Sequence, residues 1–284
     1  MGYFFTLLAR FGIVLSMGTG MHLVFSLGGI FFLGMPTVVS LTAYALAIAE
    51  KAGYAPLWAA AIALLVNLCA GLLFAILYLR VSADSFAVLG LASILAFEAL
   101  TRSWSELTNG VLGLAGIVRP ELLAAEWSFG LFNLTLGILI VAGEYVLLQT
   151  FWGRALRALK ENPVSLEALG ISSDRLARNT IILSSLLFGI GSIVMVWQIQ
   201  FLEPSFAGLM LLIEMLTVGI LALKPEVKRV VGGAIFVIAL PEFLRFLDLP
   251  VTLFGHLRVL LYSILLIVLI RFLNTKISIT SRCL

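Results

Sequence analysis

The chain has 284 residues, of which 62% are hydrophobic and 12% charged, and its formal net charge is +3. Its mean hydropathy is +1.14, and stretches such as 181–198 carry no ionisable side chain. A soluble domain keeps roughly a quarter of its residues charged, so this composition excludes an ordinary soluble protein and predicts a membrane protein. The charges are confined to intervals between apolar runs, which argues against a nucleic-acid-binding face.

Membrane segments are predicted wherever an apolar run approaches about 20 residues. In chain order they are expected near 11–27, 28–49, 57–79, 86–101, 129–149, 180–201, 206–223, 231–247 and 257–273. Glycine, proline or an acidic residue interrupts the first, second, fourth and eighth, as in broken or re-entrant helices that line a cavity. The alternation typical of a β-barrel strand is absent. We therefore expect an all-α polytopic membrane protein with about eight or nine transmembrane or re-entrant helices, forming one domain over 1–284.

The distribution of lysine and arginine predicts the orientation of these segments. If the 150–179 loop is cytoplasmic, twelve basic residues lie inside and five outside. The inside set is Arg80, Arg154, Arg157, Lys160, Arg175, Arg178, Lys224, Lys228, Arg229, Arg271, Lys276 and Arg282. The outside set is Lys51, Arg102, Arg119, Arg245 and Arg258. The C-terminus is then cytoplasmic, while the side of residue 1 stays open. The N-terminus lacks a basic region and a cleavage site, so it is expected to be a retained membrane segment.

The longest hydrophilic interval, 152–178, contains a predicted short helix. Asn162 is a helix-capping residue, Pro163 suits the first helical position, and Gly170 suits the residue just past the end. These residues predict a helix of about two turns over 163–169, too short to span a membrane. Either Ser172 or Ser173 can cap the helix that follows.

Leu166 and Leu169 are three residues apart, so they are predicted to share one face of this helix and to form a docking surface. Arg154, Arg157 and Lys160 recur every third residue before it, where the preceding span would enter the cytoplasm. An ordinary loop helix beside a basic membrane anchor is the alternative that spacing alone leaves open.

Ionisable residues inside predicted spans are functional candidates, because a charge in the bilayer costs about 2.5 kcal/mol or more unless it faces protein or water. Glu98 is expected to pair with Arg102 four residues later, near the outer surface. Glu144 is expected at the interface beside a nearby cation, and His22 is expected to be a packing residue. For Glu214 two interpretations stay open: a position facing the conduit or a partner subunit, and a helix-packing hydrogen bond.

The sequence over 153–171, Gly-Arg-Ala-Leu-Arg-Ala-Leu-Lys-Glu-Asn-Pro-Val-Ser-Leu-Glu-Ala-Leu-Gly-Ile, resembles the cytoplasmic loop of branched-chain amino acid ABC transporter permeases of the LivM type. Three further stretches resemble that family in the same order: Ser-Leu-Gly-Gly-Ile-Phe-Phe-Leu-Gly at 26–34, Leu-Thr-Asn-Gly-Val-Leu-Gly-Leu-Ala-Gly-Ile at 107–117, and Leu-Pro-Glu-Phe-Leu-Arg at 240–245. The chain departs from the family at 221–225, where Leu-Ala-Leu-Lys-Pro replaces a Gly-Gly-x-Gly turn, and at Gly29, where histidine is common. It is therefore identified as a divergent member.

The resemblance implies an importer subunit that moves a small polar solute, with branched-chain amino acids as the expected solute class. It also implies four kinds of partner: a second, similar permease, two cytoplasmic ATPases, an extracytoplasmic solute-binding protein, and the lipid of the inner (plasma) membrane. The residues expected to couple to the ATPase are Gly153, Arg154, Arg157, Glu161, Asn162, Pro163, Leu166, Glu167, Ala168, Leu169 and Gly170. The residues expected on the translocation path are Gly28, Gly34, Glu98, Asn109, Gly110 and Glu214.

No phosphate-binding loop, and not even a Gly-Lys dipeptide, occurs in the sequence, so ATP must be hydrolysed by separate subunits. Motifs of zinc proteases and serine hydrolases are also absent. The two cysteines, Cys69 and Cys283, match no disulfide or metal spacing. We therefore expect no enzyme activity, no cofactor and no metal. A stand-alone secondary transporter and a non-transporting membrane scaffold remain the alternatives.

Overall fold

The structure is a computed structural model that describes residues 2–224 and 226–245, together with a few positions between 260 and 268. Its long helices are α1 (Gly2–Met21), α2 (Met35–Lys51), α3 (Pro56–Tyr78), α4 (Ala83–Ser103), α6 (Glu126–Gln149), α9 (Ser173–Ile199) and α11 (Val227–Arg245). The shorter helices are α5 (Ser105–Thr108), α7 (Phe151–Glu161), α8 (Pro163–Ala168) and α10 (Leu209–Leu221). Helix α1 continues into a π-helix (His22–Leu27), and 3-10 turns cover Gly110–Leu112 and Glu121–Leu123.

Among the residues that the structure describes, five helices are long and apolar enough to cross a membrane: α1 with its π-helical extension, α3, α4, α6 and α9. This confirms the predicted all-α, multi-pass fold. The first segment begins at Gly2 and not near 11, and the second begins at Met35 because residues 28–34 form a non-helical connection. Helix α10 has only 13 residues and begins after a turn at 203–208. Most of the predicted span at 257–273 falls outside the described residues.

Helices α1 and α9 form the centre of the molecule. In their most apolar windows 61% and 67% of the residues are buried, against 33% in α3, 22% in α6 and 17% in α4, so the three outer helices are left with lipid-facing surfaces. Glycines permit close packing at the centre: a Cβ added at Gly12 would lie 2.0 Å from the Asn133 carbonyl oxygen. Because Gly2 lies beside Glu126 and His22 beside Glu144, α1 and α6 run in the same direction.

The helix ends meet at two opposite faces. At one, Tyr78, Lys160, Asp174 and Leu223 line a common cavity, which brings together the ends of α3, α7, α9 and α10. We call this end, which carries the 150–179 segment, the basic face.

The opposite end is called the far face. There β1 (Leu114–Ala115) pairs antiparallel with β2 (Phe201–Leu202). The Glu50 carboxylate accepts hydrogen bonds from the Trp197 indole (3.1 Å) and the Val118 amide (2.9 Å), which join α2 and α9 to the loop before α6. The first residues of α1 also lie at this face, since the Tyr3 hydroxyl bonds to Glu242 near the end of α11.

Candidate functional site

Helix α7 is held tightly against the end of α6. A Cβ added at Gly153 would lie 2.5 Å from the Leu148 Cα, so only glycine fits there. Arg157 Nη2 donates to the Leu148 carbonyl (2.9 Å), and Arg154 Nη1 donates to the Gln149 carbonyl (3.0 Å). The last carbonyls of a helix have no partner within it, so the two arginines satisfy the end of α6. Both belong to the predicted coupling segment and have a structural role within it.

Lys160 joins the other end of α7 to α1. Its Nζ donates to the Ser26 carbonyl at 2.8 Å, and partial burial lowers the pKa of its ammonium group below the usual lysine value. Gly29 beside it has a φ of +68°, and a Cβ there would lie 3.0 Å from Lys160 Cγ. The glycine that stands in place of the family's histidine therefore makes room for this contact.

The short helix has the predicted caps. The Asn162 side chain accepts a hydrogen bond from the Ser165 amide (3.2 Å), and Pro163 is the first helical residue. Gly170 has a φ of +78°, and its amide donates to the Glu167 carbonyl at 2.9 Å. Helix α8 thus ends at Ala168, one residue earlier than predicted. These observations confirm the helix and both of its boundary signals.

The apolar residues of α8 point in different directions. Leu166 is 2% exposed and packs with Leu23 and Leu27 of the π-helix, whereas Val164 is 72% and Leu169 77% exposed. The prediction that Leu166 and Leu169 form one exposed face is therefore wrong. Leu169 lies past the last helical residue, where the chain turns toward Gly170, so the three-residue spacing no longer places it above Leu166.

The rest of this segment projects from the protein and is braced against α9. Every residue from 161 to 170 other than Leu166 is exposed, which includes Glu161 and Ala168. The Ser173 hydroxyl bonds to the Glu167 carboxylate, and the Ser172 side chain accepts from the Arg175 amide, as predicted for the cap of the next helix. Helix α8 thus projects from the protein, held by buried Leu166 and by the contact of Glu167 with α9.

Two ionisable residues meet inside the protein in a way that the sequence does not indicate. His22 Nδ1 lies 2.5 Å from Glu144 Oε1, and the two side chains are 0% and 1% exposed. The other ring nitrogen, Nε2, is 3.3 Å from the Lys224 carbonyl oxygen. His22 is therefore a satisfied packing residue, as expected. Glu144 differs from its prediction: it is buried, and its partner is this histidine on α1 and not a basic residue at the interface.

Glu98 forms the predicted pair with Arg102, whose Nη2 lies 2.5 Å from the carboxylate, and both side chains are partly exposed. Asn109 and Gly110 lie nearby at the far face, and both adopt the left-handed backbone conformation. The Asn109 amide donates to the Gly113 carbonyl at 2.9 Å, so its side chain stabilises its own loop. These three candidates for the translocation path therefore form one group.

The two other glycine candidates lie elsewhere. Gly34 is packed where α2 begins: an added Cβ would lie 2.6 Å from the Phe74 ring and 3.3 Å from the Gly90 Cα, so it permits close contact with α3 and α4. Gly28 lines the cavity at the basic face together with Lys160. Neither is close to the far-face group, so the structure does not bring the predicted path residues together at one place.

Glu214 on α10 lines a cavity of about 500 Å³ between α1, α9 and α10. Its Oε1 lies 3.9 Å from Nη2 of Arg10 on α1. Of the two interpretations left open by the sequence, this position favours a cavity-facing residue. The structure also places Arg10 beside Glu214, a cation that the sequence analysis left unassigned.

The sequence model of one protein family, described as the permease component of branched-chain amino acid transport systems, matches residues 3–270. The chain belongs to this family. It is therefore a multi-pass membrane protein of the transport permease class, and its resemblance to LivM-type permeases is confirmed. No curated protein and no solved structure matches the chain.

Sequence reasoning missed Arg10 and the His22–Glu144 contact. The only available signal was a charged or titratable residue inside an apolar segment, which marks each residue as a candidate but does not identify its partner. The partners lie on helices far apart in the sequence, and only the packing of α1 against α6 and α10 reveals them.

Proposed function

We propose that this permease is the membrane subunit of an ATP-driven importer of branched-chain amino acids. It would pair with a second, similar permease, two cytoplasmic ATPases and an extracytoplasmic solute-binding protein in the inner membrane, with its basic face and C-terminus in the cytoplasm. The observation that carries the proposal is helix α8, a capped projection at the basic face with Val164 and Leu169 exposed.

Helix α8 has the features of a peptide segment that inserts into a groove. Apolar anchors on a short helix bury well in a hydrophobic groove, and the ends of this helix are already fixed by its own caps. Exposed aliphatic side chains occur singly on many surfaces, but here two of them lie at the tip of a projection that is held by buried Leu166 and by the contact of Glu167 with Ser173. An ATPase groove that bound this tip could move it as one body.

Movement of α8 would reach the centre of the protein by two routes. Leu166 packs against Leu23 and Leu27 of the π-helix, and Lys160 bonds to the Ser26 carbonyl, so α7 and α8 both hold the end of α1. Glu167 bonds to Ser173 at the start of α9. Because α1 and α9 are the most buried of the five long apolar spans, the ATPase would act on the centre of the fold and not on its rim.

The test is recovery of the ATPase subunit with affinity-purified permease after co-expression. Val164→Asp and Leu169→Asp each place a carboxylate in a groove that excludes water, and we expect at least a tenfold loss of recovered ATPase. Val111→Asp is the matched control, because Val111 is 75% exposed at the far face. It should leave ATPase recovery unchanged. Equal recovery with all three variants would exclude α8 as the docking element.

A further inference from the structure

The cavity between α1, α9 and α10 has the size and position of a small-molecule site. Its volume of about 500 Å³ is within the range of ~300–1,000 Å³ that is common for ligand pockets. Arg10 is eight residues into α1, about 12 Å along the helix axis from its far-face end at a rise of 1.5 Å per residue. The cavity therefore lies in the half of the membrane domain nearest the far face.

The two charged residues of the cavity are close but do not form a tight contact. Arg10 Nη2 and Glu214 Oε1 are 3.9 Å apart, whereas charge-assisted hydrogen bonds measure about 2.7–2.9 Å. The Arg10 side chain is 31% exposed and that of Glu214 10%, and both line the cavity. Charges inside a membrane segment usually face a cavity and mark a substrate pathway.

One cation and one anion at this separation match the two charged groups of a free amino acid. The planar guanidinium of arginine binds a carboxylate through two parallel hydrogen bonds, and a glutamate carboxylate accepts hydrogen bonds from an ammonium group. A solute with only one of these charges could bind only one of the two side chains, so it should bind more weakly than a zwitterion.

Apart from Thr6 and Gln198, the remaining wall is apolar and adaptable. Four methionines contribute to it: Met17, Met195, Met210 and Met215. A thioether side chain is flexible and polarisable, so a methionine wall fits aliphatic groups that differ in branching. Phe206 and Leu211 add to the same surface.

We propose that this cavity binds a zwitterionic amino acid with an aliphatic side chain, with Arg10 holding the α-carboxylate and Glu214 the α-ammonium group. The proposal rests on the proposed function, because it places the transported solute in this chain. The two helices that carry the charged residues also contact each other nearer the basic face, where the Ser26 hydroxyl of the π-helix that continues α1 donates to the Gly219 carbonyl of α10 at 2.7 Å. Helices α1 and α10 are thus joined beside the residues that hold α7 and α8.

The test is equilibrium binding of radiolabelled leucine to the purified full chain in lipid nanodiscs. Unlabelled leucine and valine should displace the label. Leucinamide, which has no carboxylate, and 4-methylpentanoate, which has no ammonium group, should compete at least tenfold more weakly. Absence of saturable binding, or equal competition by all four compounds, would overturn the proposal.

Two variants separate a binding role from a structural ion pair. Arg10→Gln should weaken leucine binding at least tenfold and make leucine and leucinamide nearly equal competitors, and Glu214→Gln should do the same for leucine and 4-methylpentanoate. Lys228→Gln, which removes a cation from an exposed pair with Glu226, should bind as the wild type does. Loss of affinity with unchanged competition ratios would show that the pair is only structural.

Leucine uptake by cells that carry or lack the chain distinguishes this proposal from the proposed function. Uptake that depends on the chain but is unaffected by Arg10→Gln and Glu214→Gln would overturn the site and leave the transport role intact. Uptake of branched-chain amino acids that does not depend on the chain would overturn the proposed function itself.

Discussion

The contact between His22 and Glu144 is an ionisable pair withdrawn from both water and lipid. Both side chains are buried, and Glu144 Oε2 has no hydrogen-bond partner among the described residues. Taking charged groups out of water is costly, and their mutual attraction repays that cost only in part. The pair therefore contributes little net stability. It does restrict which residues can replace His22 or Glu144, because each depends on the other for a hydrogen-bond partner.

Removing one member of the pair should harm the protein more than removing both. We expect His22→Leu or Glu144→Leu alone to cost about 3–5 kcal/mol, because the remaining residue is left buried without its partner. The double variant should recover most of that loss, since an apolar pair needs no compensation. Thermal unfolding in detergent, followed by tryptophan fluorescence, measures the three transitions against wild type. A double variant less stable than both single variants would contradict this account.

Sequence spacing predicted one intramembrane pair and could not predict the other two. Glu98 and Arg102 are four residues apart on one helix, so helical geometry alone brings them together. His22 and Glu144 are 122 residues apart in the chain, and their contact depends on how α1 packs against α6. The same is true of Arg10 and Glu214. A single sequence shows that such residues are ionisable and lie within apolar segments, but it does not show which of them pair with each other.

At the scale of one element, α8 shows which features are local and which are tertiary. Its start at Pro163, its cap at Asn162 and its end before Gly170 depend on neighbouring backbone groups, so the sequence predicted them. The direction of its side chains depends on where α7 and α9 hold it. Leu166 is turned inward by the π-helix and Leu169 outward, although both are leucines at helical spacing.

This difference gives opposite expectations for two similar substitutions. Leu166→Asp places a carboxylate in the cluster with Leu23 and Leu27, where burial without a partner costs several kcal/mol, so the folded chain should accumulate poorly in the membrane. Leu169→Asp changes an exposed residue and should accumulate as wild type does. Size-exclusion profiles of fluorescently tagged chains, normalised to total expression, compare the two. Equal amounts of monodisperse protein from both variants would disagree with the packing of α8.

The whole molecule is organised around two central helices. The direction in which they run determines which helix ends lie at the basic face and which lie at the far face. Helices α1 and α9 are surrounded by others, and the first turn of α1 lies at the far face, opposite α8. Positive charge in the loops predicted which intervals share a side, but the irregular first segments left residue 1 unassigned. In the structure Gly2, the first described residue, lies at the far face, because α1 runs in the same direction as α6.

Single cysteines at the two faces provide the test of sidedness. In a chain with Cys69 and Cys283 changed to serine, Leu122→Cys should react with a membrane-impermeant maleimide on intact spheroplasts, because Leu122 is 87% exposed at the far face. Ser165→Cys, exposed on α8, should react only after the membrane is permeabilised. Labelling of Ser165→Cys before permeabilisation would show that the basic face lies outside and that the proposed orientation is wrong.

The Arg10–Glu214 pair has a consequence for how the protein is made. Ribosomes add ~5–20 residues per second, so Glu214, roughly 200 residues after Arg10, emerges on the order of 10–40 s later. During that interval nascent α1 carries a cation into the bilayer without the carboxylate that later lies beside it, at a cost of about 2.5–3.5 kcal/mol for a central position. The contact between Arg10 and Glu214 can form only after α10 has been synthesised, so the packing of α1 against α10 follows the insertion of both helices.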